Sequence, residues 1–136
     1  MENFIGSLAL VASPEGEGML RLGVINQINQ NRSASLSFGD LSIRPYPLSE
    51  VLVLKNSHQL YQKLLTSTLL LDAKDFKTLL SVNMLQERGS EGSILKAMEI
   101  LRDHPTAALH AADKLSSRLG LDQSEEQRVK MGGFSR

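Results

Sequence analysis

The 136 residues include no cysteine, which excludes disulfides, thiolate metal sites and cysteine nucleophiles together. Fifteen lysines and arginines balance fifteen aspartates and glutamates, four against five through Lys55 and eleven against ten beyond it, so neither half has the basic excess of a nucleic-acid or anionic-membrane binder. No segment approaches the roughly 20 apolar residues of a membrane span, and residues 5–12 are a poor signal peptide, with a short apolar run and Glu2 in place of a basic leader; the expectation is a cytoplasmic protein.

In chain order, Leu8, Leu10 and Ala12 alternate with Ala9 and Val11, apolar on both sides, which predicts a central strand. Pro14-Glu15-Gly16-Glu17-Gly18 reads as a turn or flexible loop. Leu20, Leu22 and Val24 resume the period of two, and Ile25 and Ile28 break it, so a bulge or strong bend is expected around residues 23–25. Asn29-Gln30-Asn31-Arg32 makes a tight connection, because asparagine tolerates positive φ. Ala34, Leu36 and Phe38 alternate with Ser33, Ser35 and Ser37 as a half-buried strand with one wet face. Gly39-Asp40 turns the chain, and Leu41 and Ile43 start a strand that Pro45 and Pro47 end or confine to a sheet edge. Pro47-Leu48-Ser49-Glu50 reads as a short helical turn, and residues 51–54 as a last strand.

The period then changes to that of helices. Leu60, Tyr61, Leu64 and Leu65 form a stripe after a Ser57 cap. Asp72 caps a second helix with a stripe of Phe76, Leu79, Leu80 and Met84, ended by Gly89. Ser90 or Ser93 caps a third, carrying Ile94, Leu95, Met98 and Leu101. Pro105 opens a fourth, with Ala108, Ala112, Leu115 and Leu119 on one face and Gly120 as its stop. The β-to-α change falls at residues 55–57 with no flexible linker, so the halves are expected to pack on each other or on a partner; pieces this small are marginal alone.

Residues 6–11, the run Gly23-Val24-Ile25-Asn26-Gln27-Ile28, residues 33–38 and the run Pro47-Leu48-Ser49-Glu50-Val51-Leu52-Val53-Leu54 together carry a resemblance. The second run is similar to the Gly-x-Val-x-x-Ile core of KOW and Tudor-like barrels, the last to their proline-leucine-x-glutamate entry into the final strand. The first half thus resembles the SH3-like small barrels. The fold class this implies is α+β: an N-terminal five-stranded SH3-like small β-barrel over residues 1–55, then a bundle of about four short helices over residues 56–122 packed on the barrel or on a partner. Residues 123–136 read as a flexible tail. Such barrels host nucleic-acid binders, peptide binders and assembly subunits, so the fold leaves function open.

Barrels of this type bind through loops and the exposed sheet face, which here points to Asn29 and, as binding candidates, Asn31, Arg32, Phe38, Arg44 and Tyr46. The plain alternative is turn chemistry for the asparagines, core for Phe38 and solvated charge for the arginines. Phe4, Phe38 and Tyr46 are too few aromatics for a methyl-lysine cage. Arg21, Arg32, Arg44 and Lys55 are offset by Glu15, Glu17, Asp40 and Glu50, which weakens a nucleic-acid reading. His104 and His110 are six apart and straddle Pro105, so they do not share a helix face as metal-binding pairs do, and His58 stands alone; no metal or cofactor is expected. No serine sits in a nucleophile elbow, and Gly89-Ser90-Glu91-Gly92-Ser93 lacks the lysine-serine ending of a P-loop. Ala107, Ala108, Ala111 and Ala112 make a slim helix surface, and Leu69-Leu70-Leu71 an apolar run that must be covered, either internally or by a partner.

The expectation is therefore a non-enzymatic protein-binding or assembly module, with a protein partner or a second copy. A nucleic-acid-binding barrel is the alternative, and a small ligand binder or enzyme built from distant residues the third.

Overall fold

The strand β1 (Leu8–Ala12) is apolar on both sides because both its faces are buried. In the computed structural model, which describes residues 3–67 and 70–121, it is joined by β2 (Leu20–Asn29), β3 (Ser33–Ser37), β4 (Ile43–Pro47), β5 (Leu52–Leu54) and β6 (Ala112–Lys114). These pair antiparallel throughout, in the order β4-β3-β2-β1-β5-β6. A 3-10 turn, Leu48–Glu50, precedes β5. The fold is α+β, but the sheet is open rather than the five-stranded closed barrel expected. The outer side of β5 is taken by a sixth strand from the C-terminal half.

The predicted bulge lies between Ile25 and Gln27, where the β2–β3 register shifts. An inserted residue restores Ile28 to the face of Ile25 although the two are three apart, which is why the period of two fails there. On that face Phe4, Ala9, Val11, Ile25, Ala34, Leu36, Phe38, Leu48, Val51 and Val53 form one core, closed by Leu115. On the opposite face Leu8, Leu10, Leu20, Leu22, Leu52 and Leu54 meet the helices in a second core.

The helices are α1 (Ser57–Thr66), α2 (Ala73–Arg88), α3 (Glu91–Arg102), α4 (Pro105–Ala111) and α5 (Leu115–Arg118). Asp72 and Ser90 cap α2 and α3 as expected, accepting from the Asp75 and Ser93 amides. Gly89 ends α2 at φ 75°, in the left-handed region. The cap of α1 is Asn56 instead of Ser57; its side chain accepts from the Gln59 amide. The stripe of α2 is rotated from the predicted one. Leu79, Val82, Asn83 and Leu85 are buried while Leu80 and Met84 are exposed, because α2 packs against α1, α3 and α4 at once.

The fourth helix departs most from expectation. Its apolar stripe continues to Leu119, yet α4 stops at Ala111; residues 112–114 become β6 and α5 follows. This short run carries the chain from one core to the other, since Ala111 lies in the helical core and Leu115 in the sheet core. The small-residue face is buried inside the protein: Ala107, Ala108 and Ala111 belong to the helical core. Leu71 is also buried there and Leu70 is exposed; Leu69 lies outside the described residues.

The β-to-α junction is held by side chains on its carbonyls. Arg118 donates to Leu54 O at 3.1 Å, Gln86 to Lys55 O at 2.6 Å and Asn83 to Ser57 O at 2.9 Å. These bonds explain why Asn83 is buried, and they bind the two halves where a linker would have flexed.

Candidate functional site

β3 is flanked by two hairpins of one type. Each has three loop residues, 30–32 and 39–41, and in each the third is a non-glycine residue at positive φ: Arg32 at 62° and Leu41 at 69°. A three-residue hairpin is a type I turn followed by a left-handed residue, a position that glycine fills without strain. An L-residue there costs roughly 1–2 kcal/mol. Arg32, and not an asparagine as expected, takes the positive φ of the first hairpin.

The second hairpin is held rigidly. Phe38 and Ser42 bond across it, and Leu41 N–H donates back to Phe38 O at 3.0 Å. The Asp40 carboxylate accepts from the Ser42 hydroxyl at 2.6 Å, from the Ser42 N–H at 3.0 Å and from Arg21 Nη2 at 2.9 Å. The Ser42 bonds first, then the Arg21 charge, hold the Asp40 carboxyl below the usual carboxylate range. The Arg21 guanidinium lies over the Phe38 ring, 3.8 Å from its centroid. Phe38 in turn fills the space beside Gly23, where a Cβ would come within 2.7 Å of the ring. On this fixed tip Leu41 is 93% exposed, with Ile43 58% exposed beside it.

The five candidates do not converge on one point. Arg32 and Phe38 bracket β3, so the two hairpins stand about 20 Å apart at the strand rise per residue. Asn31 accepts from the Ser33 hydroxyl at 2.6 Å. With Arg32 it borders a hollow of about 350 Å³ closed by Pro47, Leu48, Ser49, Ser116 and Leu121. Phe38 is 6% exposed and forms an edge contact with Tyr46 at 6.1 Å, within the sheet core. Arg44 and Tyr46 share one side of β4, opposite Leu36 and Ala34. Arg21, Asp40 and Leu41 were missed as a site. The Asp-x-Ser spacing at residues 40–42 is an Asx-turn signal, but Leu41 reads as the start of a strand.

Phe38 N–H bonds to Ser42 O and Leu48 N–H to Arg32 O, which sets the phase of the β3–β4 ladder. Arg44 and Tyr46 bond inward, while Ile43, Pro45 and Pro47 face their backbone groups outward. Both edge prolines therefore stand where an incoming strand would need a donor.

Two further clusters are charged. A hollow of about 660 Å³ between the β1–β2 loop and the α3–α4 connection is bordered by Glu15, the Arg21–Asp40 pair and the Arg102–Asp103 pair. At the seam of the halves, Lys55 bonds to Asp113 Oδ1 and Arg118 stands 3.7 Å from its Oδ2. Lys63 lies close enough for burial first, and the Lys55 charge second, to push its ammonium below the usual lysine range, with Asp113 opposing. Among the described residues no group of three or more His, Asp or Glu is placed to hold a metal ion, and no helix is long and apolar enough to cross a membrane.

No family model, curated protein or solved structure matches this chain.

Proposed function

We propose that the chain is a non-enzymatic protein-binding module whose contact is the β3–β4 hairpin tip. The observation that carries this reading is Leu41: an aliphatic side chain 93% exposed on a residue at φ 69°. Folding gains nothing from it at that place, since glycine would remove the strain and a polar residue the exposed apolar surface. A partner that buries Leu41 and Ile43 accounts for both, and the Arg21–Phe38–Asp40 support would hold the tip in a binding-ready shape without further ordering. The resemblance of residues 1–55 to SH3-like barrels agrees, because that superfamily includes peptide binders.

Affinity capture with the wild-type chain and with Leu41→Gly tests it. The expected result is a partner retained by the wild type and lost by a variant that is at least as stable; equal retention by both would overturn the reading. The nucleic-acid alternative has less support, because Arg21, Lys55 and Arg102 each already face a carboxylate. It requires a gel shift that weakens with salt.

A further inference from the structure

Residues 105–119 contain no glycine or proline after Pro105, and their apolar residues Ala108, Ala112, Leu115 and Leu119 repeat at i, i+4, i+7 and i+11. Local sequence therefore favours a continuous helix, yet at Ala112 the backbone turns extended, at φ −124° and ψ 153°. Tertiary contacts hold residues 112–121 in this other form. Lys55 N–H donates to Ala111 O at 2.9 Å and Leu115 N–H to Val51 O at 2.7 Å, Asp113 faces Lys55, and Leu115 is fully buried beside Leu48, Val51 and Val53. If this strap rejoins α4 as helix, β5 is left with an unpaired edge, an aliphatic slot, and Lys55 and Lys63 without their carboxylate. Such an edge takes an extended strand, and the slot and paired cations specify which one. Unlike the β4 edge, it carries no proline.

We propose that the β5 edge is a docking site for an extended segment with an aspartate two residues before a leucine, kept shut by the chain's own Asp113 and Leu115. This rests on the reading of the chain as a protein-binding module but uses a different surface from Leu41.

Lys114 supplies a lock. It is exposed, its φ of −65° and ψ of 139° suit proline, and the ladder phase set by Lys55 and Leu115 turns its N–H away from β5. Lys114→Pro preserves the strap and forbids the long helix.

The probe is a labelled peptide with the sequence of residues 110–121, titrated by fluorescence anisotropy into three full-length proteins. Asp113→Ala, whose strap is loosened, binds it at least about tenfold more tightly than Lys114→Pro, with wild type between, and peptides carrying Asp113→Asn or Leu115→Ala lose about tenfold or more. Hydrogen exchange provides a readout that does not need Asp113→Ala to fold. In wild type the Lys55 amide, which loses Ala111 O to Leu115 N–H when the long helix forms, exchanges faster than the Ile25 amide, and Lys114→Pro slows it about two- to fivefold. Equal peptide affinity in all three proteins, or exchange at Lys55 unchanged by Lys114→Pro, overturns the proposal. Leu41→Gly binds the peptide as wild type does, so failure at the hairpin tip and failure here are separable.

Discussion

At one end of the sheet, β4 is protected by its residues; at the other, β5 is protected by another part of the chain. Pro45 and Pro47 remove two of the three outward donors of β4, and among the described residues no strand pairs with that edge. β5 carries no such residue and depends on three residues of β6, on Leu115 and on the Asp113–Lys55 pair. Protection by residue type is permanent. Protection by a strap lasts only as long as the contacts that hold it, so the two edges should respond differently to mutation.

The largest expected effect lies at the strap. Leu115→Ala empties a fully buried site and should cost about 2–5 kcal/mol. Urea unfolding measures the loss, and hydrogen exchange should show the Lys55 amide weakened more than the β2–β3 ladder; uniform weakening would mean that the strap is not a separate unit. At the other edge, replacing Pro45 and Pro47 together by threonine restores two outward donors. Sedimentation should then show stronger concentration-dependent association than the wild type, and an unchanged profile would remove the prolines from the account of this edge.

A smaller effect, and of opposite sign, is expected at the hairpin that enters β4. Leu41→Gly relieves left-handed strain but makes the unfolded chain looser, for a net gain of about 0.5–1 kcal/mol. A fall in thermal midpoint would show that Leu41 makes a contact in the folded chain that its exposure conceals.

The smallest effect concerns Asp40. Its folded carboxyl ionises more readily than its ordinary value of 3.8, so the stability it contributes is present above that value and is lost as pH falls through the folded one. Asp40→Asn should lower stability slightly near neutral pH and flatten the decline below about pH 4. An identical acid limb in both proteins would remove Asp40 from the hairpin's support.

Much of the fold was legible from local pattern. Alternation located the strands, the two-sided pattern of residues 8–12 marked a central strand, and the misphased Ile25 and Ile28 announced a bulge. Asp72, Gly89 and Pro105 marked helix ends because caps act through a residue's own turn. The stripe of α2 was misread because three neighbours, and not one, define its buried face. The candidate site was legible only in part. Arg44 and Tyr46 lie on β4 and Asn31, Arg32 and Phe38 at the two ends of β3, but their distance apart depends on strand length and register. Leu41 carries no signal, because a leucine at a glycine position looks like any strand residue.

By itself the sequence determined the α+β class, the place of the β-to-α change and most element boundaries, since these follow from side-chain period and from capping within a few residues. The tertiary structure alone decided that the sheet stays open and that residues 112–114 add to β5. It also decided that a predicted helix breaks at Ala112 with no breaker present. The reason is physical: helical period and helix propensity act within a turn or two, whereas the Leu115 slot, the Asp113–Lys55 pair and the β5 backbone come from residues more than 50 positions away. The open sheet and its two unlike edges therefore exist only once the halves have met.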